Sequence, residues 1–240
     1  MYYNGDIKFK GVSSKAFPLI ITAVPTVSHS EIRGNVYSVP GRGDLYDRST
    51  YRGSATITVL MALVSDDNVV DGVSAYQDAY RSVRQWLQGT GKLIISDSSD
   101  SYYEVQRVTI NTDARVILNY GNLEVSFTVY PYEFLASGDD IAEIEDDILT
   151  NDCDESMPLY KIEGSGSGIL NVNEKAMSFT VDGTLYIDTR RFFAYDDSGD
   201  NMSSSVSGDY EDILLTSGDN EITITSGFDL SVYPRWGYVI

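Results

Sequence analysis

The stretch Tyr51-Arg-Gly-Ser-Ala-Thr-Ile-Thr-Val-Leu-Met-Ala-Leu-Val64 indicates the type of fold that the first half of the chain adopts. From Ala55 to Leu63 every second residue is apolar, and threonines stand between the first of them. A period of two predicts a β-strand with one face in a core. Other stretches with strand character surround it, so we predict a mainly β fold. They lie at residues 17–24, 103–110, 115–119 and 123–130.

Two local details of these strands are predicted as well. The strands at 115–119 and 123–130 enclose Tyr120-Gly-Asn122, which indicates a hairpin with a short glycine-containing loop. Within 103–110, strict alternation places Tyr103 and Val105 on one face and Val108 on the other.

One helix interrupts the β pattern. Residues 73, 76, 80, 83 and 87 are apolar or aromatic, at spacings of three and four, which is the stripe of an amphipathic helix. Ser74 and Gln77 fit a capping box, and Gly89 fits a C-terminal cap. We therefore predict a helix over 74–88 that packs on a sheet through Trp86, because the stripe lacks the polar groups of a cofactor site.

Charge divides the chain into two parts. The 240 residues carry a net charge of −19. Residues 1–135 contain 12 Lys or Arg and 14 Asp or Glu, whereas residues 136–240 contain 5 and 22. This excess of acids argues against binding to nucleic acid or to an anionic membrane. The near-neutral part fits a surface covered by neighbours, and the acidic part fits a surface in water.

Residues that could support catalysis or bind a metal are few. Cys153 and His29 are the single residues of their kinds, which excludes cysteine-based zinc sites and sites with two imidazoles. No stretch resembles a nucleophile elbow, and paired carboxylates occur in no distinctive motif. Residues 196–201 resemble a fragment of a calcium loop without its closing Glu, so a solvated loop is favoured over a weak calcium site. We predict no enzyme activity and no cofactor.

The acidic stretch 136–156 is predicted to separate two domains. It contains nine acids and no base, and either a short helix through its isoleucines or a linker fits it. We predict domains at 1–135 and 157–240, with 136–156 as an acidic linker. The second domain is expected to be a β-sandwich of short strands, with Asp182-Gly183 as a tight hairpin turn and 196–210 as a long mobile loop. We expect no transmembrane helix and no signal peptide.

Several motifs then follow one another in an order typical of one family. Arg33-Gly-Asn-Val-Tyr-Ser-Val-Pro-Gly-Arg-Gly-Asp-Leu45 precedes the strand at 51–64. After it come the helix that ends in Trp86-Leu87, and Gly91-Lys-Leu-Ile-Ile-Ser-Asp97 with Tyr102-Tyr103. Gly218-Asp-Asn-Glu-Ile222 and Leu230-Ser-Val-Tyr-Pro-Arg-Trp236 close the series. Over nearly its whole length, the chain resembles the siphophage distal tail proteins, which cap the tail tube.

The resemblance has two departures. The family often has Arg-Asp-Gly where this chain has Arg42-Gly43-Asp44, so the turn geometry is expected to differ there. The family's proline before its Tyr-Tyr pair is missing at 98–101. The resemblance implies structural or interface roles for the matching residues, which are Gly41, Arg42, Asp44, Leu45, Pro234, Arg235 and Trp236.

The resemblance also implies an architecture and partners. The N-terminal domain would be a β-sandwich with one helix that forms a hexameric ring, and the C-terminal domain a galectin-like β-sandwich arm. The last strand, 228–240, is expected to return to the first domain. The ring would join the tail tube to the tail-tip protein, let DNA pass unbound through its lumen, and carry receptor-binding proteins on its arms. It would assemble in the bacterial cytoplasm and belong to the virion.

Two other functions are compatible with the sequence. A carbohydrate-binding module would use tyrosine and tryptophan rings to stack on sugars and would be monomeric. The tail-tube protein itself would be a ring of single domains, which fits less well with a second domain after residue 156.

Overall fold

The computed structural model describes residues 5–33, 36–38, 40–41, 44–46, 51–64, 72–117 and 120–240. The chain forms two compact units, and each has its own hydrophobic core. The first unit comprises Met1–Glu133 with Val239–Ile240, and the second comprises Phe134–Tyr238. The chain therefore passes from one unit to the other twice, after Glu133 and after Tyr238.

The first unit is built on a nine-stranded sheet and one α-helix. The elements of this part of the chain are β1 (Ile7–Phe9), β2 (Val12–Ser13), β3 (Leu19–Ile21), β4 (Thr26–Ser28), β5 (Ile32–Arg33), β6 (Val36–Ser38), β7 (Asp44–Tyr46), β8 (Tyr51–Arg52), β9 (Ala55–Val64), α1 (Gly72–Trp86), β10 (Gly91–Ile95), β11 (Ser101–Ile117), β12 (Tyr120–Leu135) and the C-terminal β20 (Gly237–Val239), with 3₁₀ turns at Ser14–Ala16 and Ser96–Ser98. The sheet has the order β2-β1-β10-β11-β12-β9-β3, β4 also pairs with β9, and β20 pairs with β12. The strands β5 and β8, and likewise β6 and β7, form two separate two-stranded sheets.

The predicted strand and helix contribute buried side chains to the core of this unit. In β9, Ile57, Val59 and Leu63 are fully buried, as the alternation predicts. The helix begins and ends two residues earlier than predicted, and Val83, Trp86 and Leu87 are buried in the same core. The mainly β fold with one helix is thus confirmed for the described part of the chain.

The hairpin of β11 and β12 differs from its prediction in two ways. Residues 120–122 are not a turn but pair with Val64, Leu63 and Ala62 of β9. Residues 118–119, between the two strands, lie outside the described residues. In β11, Val105 is buried and the half-buried Val108 packs against the same core. Strict alternation would separate them, but it is interrupted at Gln106 and Arg107, which are both exposed.

The second unit is a seven-stranded sheet around a separate core. Its elements are β13 (Ile148–Asn151), β14 (Leu159–Val172), β15 (Lys175–Asp188), β16 (Phe193–Tyr195), β17 (Val206–Ser207), β18 (Gly218–Ile224) and β19 (Asp229–Tyr233), with 3₁₀ turns at Ala136–Asp139, Ser203–Ser205 and Tyr210–Ile213. The strand order is β13-β18-β14-β15-β16, with β17 paired to β15 and β19 paired to β14.

A long hairpin forms the centre of this sheet, and it corrects the prediction of a turn at Asp182-Gly183. Those two residues lie within β15, where Gly183 pairs with Gly164 of β14. The turn is Asn173-Glu174, and both residues have positive φ, 49° and 67°. Two such residues form the tight turn whose twist matches that of a hairpin. In place of the predicted short strands, this part of the chain therefore forms two strands of fourteen residues each.

Residues 136–156 are not a linker. Ile148–Asn151 pairs with Gly218–Glu221, and Leu149 is 5 % exposed. Cys153 is buried as well. Burial of these apolar side chains stabilises the fold by more than the repulsion between the carboxylates, which water and salt screen, destabilises it. The acidic stretch therefore joins the second unit. No short α-helix forms over 141–148, where Glu145 and Ile148 instead close a turn.

Candidate functional site

The first set of predicted interface residues belongs to a small hairpin. Val36–Ser38 and Asp44–Tyr46 pair, with Tyr37 opposite Leu45 and Ser38 opposite Asp44. Gly41, in the connection between them, has a φ of 81°, a backbone conformation that glycine adopts without steric cost. Arg42 lies outside the described residues, and of Asp44 and Leu45 the structure describes the backbone alone.

The second set meets a carboxylate that the sequence did not single out. The Arg235 guanidinium donates from Nη1 to Asp188 Oδ1 at 2.6 Å and from Nη2 to Asp188 Oδ2 at 3.0 Å. It also donates to the carbonyl of Met157 at 3.3 Å. The Asp188 side chain is 2 % exposed and that of Arg235 is 17 % exposed. This two-pronged pair is the strong form of a charge-assisted hydrogen bond, and it joins the segment after β19 to the end of β15.

Beside this ion pair, the backbone around Gly138 is in close contact with the backbone of the C-terminal segment. Gly138 lies so near the C-terminal segment that a Cβ atom there would stand 2.3 Å from the backbone nitrogen of Trp236. The Arg235 amide donates to the Gly138 carbonyl at 2.8 Å, and the Leu135 amide donates to the Trp236 carbonyl at the same distance. Arg235 has a φ of 54°, which Arg rarely adopts. Pro234 is buried and Trp236 packs against the second core, so all three predicted residues have structural contacts.

Electrostatics favours the ionised form of Asp188. Burial pushes the pKa of Asp188 upward, but the hydrogen bonds and charge of Arg235, helped by Arg191, outweigh burial and hold it below its usual value. The carboxylate also accepts the amides of Arg190 at 3.1 Å and Arg191 at 3.3 Å. Because its acceptor sites are occupied in this way, the Asp188 carboxylate has a structural role.

The sheet beside Asp188 carries a row of aromatic residues. Tyr186 of β15 pairs with Tyr195 of β16, and their rings stack with centroids 5.0 Å apart at 12°. Phe193 stacks on Tyr195 at 6.0 Å. The Tyr186 hydroxyl donates to Asp197 Oδ1 at 3.1 Å, and burial, followed by this hydrogen bond, raises the pKa of Tyr186. These phenols stay protonated at neutral pH, so they contribute contact surface and hydrogen bonds.

The stretch 196–201 uses its leading carboxylate for its own backbone. Asp196 Oδ1 accepts the amides of Ser198 and Asp200, both at 2.9 Å. Among the described residues no group of three or more His, Cys, Asp or Glu side chains could hold a metal ion. Residues 196–210 also contain β17 and the turn Ser203–Ser205, so they are more ordered in structure than the predicted loop. None of the helices in the described ranges is long and apolar enough to cross a membrane.

Sequence reasoning missed Asp188 and Gly138. A carboxylate directly after the apolar alternation of Leu185 and Ile187 was a usable signal, because a buried carboxylate requires a partner. Gly138 carried no signal, since the close approach of residue 236 depends on the tertiary structure.

Comparison with known proteins identifies structural neighbours among solved structures. No family model matches the sequence, and no curated protein matches it either. Among solved structures, the Dit protein (gp 19.1) of phage SPP1, described as a paradigm of the hub adsorption apparatus in phages that infect Gram-positive bacteria, aligns with a TM-score of 0.65 at 10 % identity. The alignment covers 96 % of this chain and 98 % of that chain.

Two structures of the phage P2 baseplate in its activated conformation, one with Ca and one with Sr, also align. They have TM-scores of 0.45 and 0.40 at 10 % and 9 % identity, and they cover 96 % of this chain and 98 % of theirs. The alignment with the SPP1 Dit protein shows that the fold of this chain is Dit-like. At the level of the fold, the resemblance to the siphophage distal tail proteins is confirmed.

Proposed function

We propose that this chain is a non-enzymatic structural protein of a long non-contractile phage tail, or of a phage-like tail. Six copies would form a hub that joins the tail tube to the tail-tip apparatus. The observation that carries the proposal is the Dit-like fold, which extends over 96 % of the chain. The distal tail motifs, which occur in the family's order from Arg33 to Trp236, support it independently.

The ring contacts are assigned to the first unit in this proposal. Its residues have nearly balanced charges, and a closed ring buries surface between copies, where each unpaired carboxylate costs several kcal/mol. Ile20 of β3 and Leu60 of β9 are 52 % and 42 % exposed on neighbouring strands. The core-facing neighbours of these two residues, Ile21 and Met61, are buried. Ile20 and Leu60 thus form an outward apolar patch that fits a contact between copies.

The second unit would be a solvated arm, because its 22 acids and 5 bases are favourable only where water and salt screen them. It is the place for receptor-binding proteins, while the tube protein and tail-tip protein would contact the ring. DNA would pass through a lumen that does not bind it, because like charges repel. The chain would assemble in the host cytoplasm and remain in the virion.

Light scattering coupled to size exclusion tests the ring. Six copies of 26.6 kDa have a mass of about 160 kDa. We expect that mass for the unmodified chain and a monomer for the double variant Ile20→Glu and Leu60→Glu. Ile169→Glu is the matched control, since Ile169 is 43 % exposed in the second unit, and it should leave the ring intact.

The hub would be contradicted if the chain stays monomeric at concentrations well above micromolar and if electron microscopy shows native tails that lack it. A monomeric chain that binds sugars would instead favour the carbohydrate-binding module. Loss of the ring in Ile169→Glu but not in the double variant would move the ring contacts to the second unit.

A further inference from the structure

The turn after β15 exposes a residue in a costly conformation. It comprises Thr189-Arg190-Arg191-Phe192. Phe192 has a φ of 51°, which is unfavourable for a large side chain, and it is 55 % exposed. A small polar residue such as Asn would relieve both costs, since Asn tolerates this conformation and prefers water. The phenylalanine is therefore poorly explained by the stability of the isolated chain.

The turn is nevertheless held in place. Asp188 accepts the amides of Arg190 and Arg191, and Arg235 fixes Asp188 in turn. Thr189 donates its hydroxyl to the carbonyl of Pro158 at 2.8 Å. The ring of Phe192 meets that of Tyr210 edge-on, with centroids 6.0 Å apart. A contact residue that is already ordered loses little conformational entropy when it binds, which favours affinity.

The turn is also the positive part of a strongly acidic unit. Residues 134–238 contain five Lys or Arg and 22 Asp or Glu, and three of the five bases are Arg190, Arg191 and Arg235. Arg235 is engaged with Asp188, whereas the Arg191 side chain is 70 % exposed and its Nε lies 3.8 Å from Asp188 Oδ2. Arg and aromatic residues are the types that dominate binding energy at protein interfaces.

We propose that the turn 189–192 is an anchor that inserts the Phe192 ring into an apolar pocket of another tail protein, while Arg191 pairs with a carboxylate at the rim of that pocket. The inference rests on the proposed function, because the partner is taken to be a component of the same tail. The excess of acids in the unit disfavours anionic polymers and membranes as partners, because these would face the whole acidic surface. A pocket with an acidic rim is small enough to contact the positive turn and nothing else of the unit.

Photo-crosslinking in assembled particles tests the anchor. Benzoyl-phenylalanine replaces Phe192 in the full chain, expressed from the genome that encodes it, and replaces Ile169 as the control. After irradiation, mass spectrometry of purified tails identifies the crosslinked peptides. We expect position 192 to link to one other tail protein, at a site with apolar residues and at least one Asp or Glu nearby, and position 169 to link to none.

Two variants separate binding from folding. Phe192→Asn should keep the melting temperature within about 3 °C of the unmodified chain, or raise it, while it lowers the amount of the crosslink-identified partner in tails at least about tenfold. Arg191→Glu should lower it similarly, and Ile169→Asn should not.

Tails that contain the chain but show no crosslink from 192, or show one to another copy of this chain alone, would overturn the anchor and leave the hub intact. Full partner content in tails with Phe192→Asn would do the same. Particles that lack the chain altogether would overturn both proposals.

Discussion

The ion pair between Asp188 and Arg235 supplies the sharpest test of the second unit. Asp188→Ala removes the acceptor of two Arg235 hydrogen bonds, at 2.6 and 3.0 Å, and of two backbone amides. The guanidinium, 17 % exposed, is left without its carboxylate. Removing one partner of a buried pair costs about 3–5 kcal/mol. Because part of the Arg235 side chain reaches water, we expect a loss of about 3 kcal/mol in the free energy of unfolding.

Tryptophan fluorescence can follow this unit by itself. The chain has two tryptophans, Trp86 in the first core and Trp236 packed against the second. In a Trp86→Phe background, the emission of Trp236 during urea denaturation reports the second unit. With a denaturant slope of about 2 kcal/mol per M, a loss of about 3 kcal/mol lowers the urea midpoint by about 1.5 M.

Two controls decide what the result means. Arg191→Ala removes a side chain that is 70 % exposed and 3.8 Å from the same carboxylate, so its effect should stay below about 1 kcal/mol. Replacing both partners, with Asp188→Leu and Arg235→Met, should restore much of the loss, because an apolar pair avoids the desolvation of charges. A midpoint for Asp188→Ala no lower than that of Arg191→Ala would refute the reasoning.

Three further results are expected. The folded-state pKa of Asp188 lies below its unfolded value, so the pair stabilises above about pH 4 and this stability is lost as the pH falls through the folded pKa. Urea midpoints of the parent and of Asp188→Ala should therefore converge in acid, and a constant gap would contradict the assignment. Trp86→Ala should cost about 3–5 kcal/mol, because Trp86 is 6 % exposed; an unchanged melting temperature would mean that it is not a core residue. Gly138→Ala should cost about 1–3 kcal/mol by its clash with the backbone of Trp236, and calorimetry should show no such loss for the exposed neighbour Ser137→Ala.

Local patterns predicted the strands and the helix in which buried residues recur at a regular spacing. The alternation through Ile57 and Val59 and the stripe through Val83 and Trp86 correspond to faces that are buried. Such periods need no knowledge of distant residues, because side chains of one strand or helix share a face by geometry alone. The same reasoning failed in β11, where the alternation is interrupted at the exposed Gln106 and Arg107, so that Val105 and Val108 contact the same core.

Predictions that rested on composition or on one dipeptide were less secure. Asp182-Gly183 has the residues of a tight turn, yet the register of β14 and β15 places it within a strand. The acidic stretch 136–156 has the composition of a linker, yet Leu149 and Cys153 are buried in the second unit. In both places the contacts with distant strands outweigh the local preference.

The sequence by itself determined the mainly β fold, the single helix, the division of charge between the two parts of the chain and the order of the distal tail motifs, because each of these depends on residues close together or on simple counts. It also drew attention to Arg235, through the motif around it. The tertiary structure alone decided that Arg235 binds Asp188, 47 positions away, and that Gly138 must leave room for residue 236. These pairings follow from strand register over long sequence separations, and a one-residue change of register would point every side chain of the strand to the opposite face.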